Sequence, residues 1–217
     1  MSVVDGVVEA FRILLFLILG YISALISVFF PPPRKSIEGE TVLITGAGHG
    51  IGREFALEIA KLGATVVLWD INKMIKEFLP PMIKKGQGHI LNVISMAGFS
   101  GFSNLTDYCA SKHAAKGFHE SLIEELYLYG HHNIKVTGLC PMFVDTGLIK
   151  DFKVGLLTPN ETALAGIDGM LRNYELVTVP SKMYYMTKIG SLFPRKTVQF
   201  LVRSSGLEVN SQYKKKN

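Results

Sequence analysis

Residues 41–45 (TVLIT) and 65–68 (TVVL) are short, β-rich apolar runs, and the segment between them repeats its apolar positions at helical spacing. Phe55, Ile59 and Leu62 fall on one side of a helix over 53–62, which Gly63 ends. The rhythm returns downstream. Residues 90–94 form a strand, and after it Ala114, Phe118, Leu122 and Leu126 make one apolar row of a helix that stops at Gly130. Short strands alternating with helices predict an α/β domain built on a parallel sheet. Residues 183–202 are aromatic, methionine-rich and spaced by bases. Two readings are open for them: a helix pair packed on the sheet, or a surface that dips into a membrane with Lys188, Arg195, Lys196 and Arg203 near headgroups.

The N-terminus breaks this pattern. Residues 13–30 contain 18 positions without a charge, followed by Pro31-Pro32-Pro33 and Arg34-Lys35. As a helix the run would reach roughly 27 Å, near the thickness of a hydrocarbon core. A cleaved signal peptide would carry a shorter apolar region and a small-residue cleavage site, so a membrane anchor is expected over 1–35. Whether it spans the bilayer or lies in one leaflet is open at this stage. The remaining residues, 36–217, then form the single α/β domain.

Composition adds little beyond this. Of 217 residues, 48% are hydrophobic, the net charge is +5, and there are two cysteines, Cys109 and Cys140. Two cysteines make no disulfide framework and fit a reducing compartment. Much of the basic excess sits in Arg34-Lys35 and Lys214-Lys215-Lys216, which read as flanking or targeting runs, so no nucleic-acid partner is expected. The closing Lys214-Lys215-Lys216-Asn217 resembles a dilysine endoplasmic-reticulum retrieval signal; the other reading is a frayed basic tail. Asn104 and Asn160 stand in formal glycosylation sequons, taken as unused because Asn104 lies four residues from Tyr108 (108 − 104). The domain is therefore expected to face the cytosol.

The chemistry begins at Gly46-Ala47-Gly48-His49-Gly50-Ile51-Gly52, between the first strand and its helix. Glycines let a backbone approach a pyrophosphate, and the helix N-terminus offers free N–H groups and a positive dipole. Asp70 follows Gly52 by 18 residues (70 − 52) at the end of the second strand. That is near the spacing of an acid that binds a ribose 2′-hydroxyl, so NAD is favoured over NADP. Further on, Ser95 ends the strand over 90–94 and precedes Tyr108 by 13 residues (108 − 95). Tyr108 and Lys112 are four apart and share a helix face. A phenol is a weak base at neutral pH, and an ammonium one turn away would stabilise its phenolate. Ser95 would hold a substrate oxygen in line. No metal site is expected: His119-Glu120 lacks a second histidine at Ile123, and His131-His132 reads as solvated loop.

Together these motifs resemble the short-chain dehydrogenases/reductases: Thr45-Gly46-x-x-x-Gly50-Ile51-Gly52, then Ser95, then Tyr108-x-x-x-Lys112. The anchor, "LWDIN" and "YCASKHAA" resemble its membrane-bound branch of hydroxysteroid dehydrogenases types 11 and 13 and an epidermal retinol dehydrogenase. The resemblance implies a Rossmann-like, doubly wound parallel sheet and an NAD-dependent oxidoreductase of lipophilic alcohols at the endoplasmic reticulum or lipid droplets. It implies catalytic Ser95, Tyr108 and Lys112, with Lys112 also reaching the nicotinamide ribose. It implies cofactor contacts at Gly46, Gly50, Ile51, Gly52 and Asp70, and at Val144 and Thr146 within "GLCPMFVDTGL". Met142 stands where many members carry glycine. The resemblance also allows a homodimer.

One interval departs from the family. Only 25 residues separate Asp70 from Ser95 (95 − 70), where members hold a third and fourth strand and a long helix with a catalytic asparagine. The stretch "WDINKMIKEF" reads as a strand end joined near Lys73 to the tail of that later helix. Either the sheet keeps a gap, or the first strand meets the strand over 90–94 with 73–85 as crossover helix. Both outcomes predict poor hydride transfer. The alternative function is then a membrane- or droplet-anchored variant, inactive as an enzyme, that serves targeting or binding.

Overall fold

The computed structural model describes residues 3–45, 50–69, 74–146, 156–194, 196–198 and 200. Residues 1–35 and 36–217 form two separate compact units. In the first, Val3–Phe29 is one helix, α1. Its described apolar side chains lie open to the surroundings, including Phe11, Leu14, Leu15, Leu25 and Phe29. Among the described residues no helix is long and apolar enough to cross a membrane. The expected helix is thus formed, while of the two placements left open for it the crossing of a bilayer has no support from these residues.

The second unit is the expected α/β domain, with every strand pairing parallel. Strand β1 (Thr41–Thr45) leads to α2 (Gly50–Lys61) and β2 (Thr65–Trp69). Helix α3 (Met74–Lys85) leads to β3 (Gly88–Val93), then α4 (Thr106–Leu128) and β4 (Ile134–Pro141). Helix α5 (Pro159–Leu171), β5 (Leu176–Val179) and α6 (Lys182–Gly190) complete it. A short 3-10 turn at Met96–Gly98 follows β3.

The sheet is divided. Among the described residues β1 pairs with β2 alone, and β3, β4 and β5 form a second sheet in that order. Of the two arrangements open from the sequence, the structure takes the one with the gap; β1 and β3 share no ladder. A polar link joins their approaches instead. Glu40, just before β1, accepts from Gln87, just before β3, at 3.0 Å and pairs with Lys85 at 3.3 Å.

Helices cover both faces, as a doubly wound sheet requires. On one face α2 and α5 bridge the two sheets. Phe55 and Ile59 of α2, Ile44 of β1, Leu139 of β4, and Ala163, Ile167 and Met170 of α5 share one core. Gly166 lets the helices approach: a Cβ there would stand 2.6 Å from Phe55 Cζ. On the other face Leu79 and Met82 of α3 pack with Leu122 and Leu126 of α4 over Ile134 and Val136.

Polar groups buried in the second sheet are paired. Thr137 donates to the Tyr174 carbonyl at 2.6 Å and meets His89 Nε2 at 2.8 Å. His119, only 2% exposed, has Nδ1 3.3 Å from Asn92 Nδ2. Burial pushes its pKa below the usual histidine value, against the opposing pull of the Glu175 carbonyl. Helix α5 starts on a capping box, with Thr158 accepting from the Glu161 N–H at 3.1 Å.

Candidate active site

The carboxyl ends of β3 and β4 and the start of α2 at Ile51 converge on one cleft of about 570 Å³. This is where open α/β sheets place their ligands. Ser95, Tyr108 and Lys112 line it together with Ile51, Val144 and Thr146. Six of the expected site residues are therefore brought to one cavity despite the divided sheet. Gly46 and Asp70 lie outside the described residues. Gly50 and Gly52 open α2, with Gly50 at φ +56°. A Cβ on Gly50 would sit 3.3 Å from Thr146 Cγ2, so the glycine turn and the segment after β4 touch. The start of α2 thus lies at the cleft through Ile51, with the positive end of its dipole. These residues fit a dinucleotide phosphate.

Ser95 sits at the end of β3 because the 3-10 turn starts there. Its hydroxyl oxygen accepts from the Ala97 N–H at 3.1 Å and its proton points to the Pro141 carbonyl at 3.4 Å. The side chain is 6% exposed, so its position is fixed by the backbone of two elements. The turn presses on α4: a Cβ at Gly98 would stand 2.7 Å from the Lys112 carbonyl oxygen. That close approach sets the distance between Ser95 and the Tyr108–Lys112 face.

Lys112 Nζ lies 5.7 Å from the Tyr108 ring centroid. It donates to the Val93 carbonyl at 3.0 Å. Burial lowers its pKa, partly offset by the nearby Cys140 thiol. Cys140 is itself pushed up to about 12 by burial and is no nucleophile. An ammonium has three donors, so two of Lys112's remain for a phenolate or a ribose.

The walls of the cleft are apolar: Phe102, Leu105, Met142 and Phe143 line it. Phe102 and Phe143 meet edge to face at 5.8 Å. Neither Phe102 nor Leu105 stands out in the sequence, since both lie in an irregular loop without periodicity. Their one signal is apolar character in the turn just before the Tyr108 helix. Among the described residues no group of His, Cys, Asp or Glu could hold a metal ion.

The short chain dehydrogenase family model matches residues 40–74 and 71–154. The chain belongs to that family. Human 17-beta-hydroxysteroid dehydrogenase 13 is 29% identical over 285 residues, covering 93% of this chain and 95% of that protein. Mouse estradiol 17-beta-dehydrogenase 11 is 31% identical over 268 residues, covering 85% and 90%. The first alignment is 68 residues longer than the whole chain (285 − 217), so part of that relative has no counterpart here. The family match divides at 71–74, the junction read from the sequence. A short-chain dehydrogenase/reductase from Burkholderia phymatum, solved with NAD, superposes with a TM-score of 0.60 at 17% identity, covering 70% of this chain and 93% of that one. It shares the Rossmann-like fold.

Proposed function

We propose that this short-chain dehydrogenase interconverts a lipophilic alcohol and its carbonyl with NAD, slowly. The observation that carries the reading is the shared cleft: Ser95, Tyr108 and Lys112 line an apolar cavity that also includes Ile51 and Thr146. Bound NAD would supply the hydride acceptor. Gly46, Gly50, Ile51 and Gly52 would hold its phosphates, Asp70 its ribose, and Val144 and Thr146 its nicotinamide amide. Tyr108 would take the alcohol proton at its phenolic oxygen, with Lys112 stabilising the resulting charge. Ser95 would leave the Pro141 carbonyl to donate to the substrate oxygen. Phe102, Leu105 and Phe143 would exclude water and accept an apolar body such as a retinoid or steroid.

Slow turnover follows from the gap. Among the described residues no strand lies between β1 and β3, so there the glycine-turn end of α2 and the Ser95–Tyr108 pair are registered through side chains and α2–α5 packing. Displacements near 1 Å are enough to reduce rates by roughly a hundredfold. The test is alcohol-dependent NADH formation by purified chain with retinol and estradiol, compared with Tyr108→Phe. A signal lost in the variant supports the reading. Activity unaffected by Tyr108→Phe refutes it. No activity together with no NAD binding leaves the second reading, a non-catalytic anchored protein, which the divided sheet favours.

Membrane or lipid-droplet attachment belongs to the same proposal. It rests on the exposed apolar side chains of α1 and, separately, on Tyr185, Met186, Ile189 and Leu192 beside exposed Lys182, Lys188 and Lys196. Flotation of the purified chain with phospholipid-coated oil droplets checks it; a chain left wholly in the aqueous layer contradicts it.

A further inference from the structure

The open edge of β3 is capped by an unexpected group. Ile94 donates to the Leu139 carbonyl at 2.8 Å, so this residue points its backbone toward β4. In a parallel ladder alternate residues face opposite neighbours. Val93, one residue earlier, therefore turns its backbone away from β4, toward the side where the described residues supply no strand. It is also the last residue of β3, and 40% exposed. Its carbonyl accepts from Lys112 Nζ at 3.0 Å.

We infer that Lys112 acts in this chain as the edge guard of β3, closing the strand end that the divided sheet leaves without a neighbour. An unpaired strand edge is a template for pairing with another chain, and lysines are a common means of blocking one. A charge-assisted hydrogen bond to a carbonyl satisfies the acceptor that a neighbouring strand would otherwise take. The ammonium also places a positive charge at the strand end. An extended segment pairing with the end of β3, such as β3 of a second copy, would have to displace Lys112 from the Val93 carbonyl. The role needs neither cofactor nor substrate, so it stands or falls apart from the proposed reaction.

The test uses the full, detergent-solubilised chain with carbonyl-13C-labelled valine. Lys112→Met keeps the side-chain length and removes the donor; Lys112→Arg keeps a donor; Tyr108→Phe disturbs the cleft but not the cap. The Val93 carbonyl resonance should move in Lys112→Met and stay near the parent position in Lys112→Arg and Tyr108→Phe. Self-association by sedimentation should tighten about tenfold or more in Lys112→Met alone, as one charged hydrogen bond is lost. If Lys112→Met does not fold, the parent protein still decides: Lys112 should be reductively methylated about tenfold more slowly than exposed Lys182. An unmoved Val93 resonance, equal self-association in Tyr108→Phe, or a Lys112 as reactive as Lys182 would overturn the inference.

Discussion

Phe55→Ala is the perturbation that most sharply probes a divided sheet. Phe55 is 4% exposed and lies in the core shared by α2, α5, β1 and β4. Among the described residues no backbone ladder joins β1–β2 to β3–β5. Packing of α2 on α5 is therefore the main tie between the halves, and Phe55 presses on it at Gly166. An aromatic side chain buries about 200 Å², worth up to about 5 kcal/mol at 25 cal/mol/Å². Truncations of buried phenylalanine cost about 3–5 kcal/mol in practice. A domain whose whole stability is about 5–15 kcal/mol would lose a large part of it. The loss should also be uneven. Urea unfolding should become biphasic, and amide exchange should rise first in β1, α2 and β2 while β4 stays protected. A single transition with equal loss of protection in both sheets, or a loss under about 1 kcal/mol, would refute the claim that this interface carries the connection.

Other predictions follow from single contacts. His119 is buried with a lowered pKa, so the unfolded chain binds its proton more readily; stability is full above the ordinary value of 6.5 and declines as pH falls below it. Urea midpoints from pH 7.5 down to 5 should show that decline, at most about 1.4 kcal/mol per pH unit, and His119→Gln should flatten it. Gly98→Ala places a Cβ 2.7 Å from the Lys112 carbonyl oxygen and should cost about 1–3 kcal/mol while moving Tyr108 away from Ser95. Its melting temperature and any Tyr108-dependent turnover should fall together. Thr158→Ala removes the capping-box hydroxyl of α5 and should cost about 1 kcal/mol in urea unfolding, with no change at the cleft.

Much of the fold was legible because its signals are local. The strand over 41–45, the strand after Gly63 and the helix carrying Tyr108 and Lys112 occur where apolar spacing and glycines place them. The i, i+4 spacing of Tyr108 and Lys112 and the strand-end position of Ser95 brought those three to one cleft. Strand pairing across the missing segment was not legible. It depends on non-local packing of α2 on α5, which keeps the halves together without a ladder between them. The partner of Lys112 was hidden for the same reason: only once β3 has an open edge does the Val93 carbonyl become available. Phe102 and Leu105 were missed as cleft walls because irregular loops carry no periodicity to read.

The central claim is that Ser95, Tyr108 and Lys112 form a working, if slow, hydride-transfer centre. Deuterium transfer tests it most directly, because a single slow turnover leaves a permanent mark. The purified chain is incubated with NAD and an alcohol deuterated at its carbinol carbon, and the nicotinamide is then analysed by mass spectrometry. The account predicts deuterium in the reduced nicotinamide for the parent chain and none for Tyr108→Phe. Bound NAD that never acquires deuterium, or equal labelling in both proteins, would contradict it.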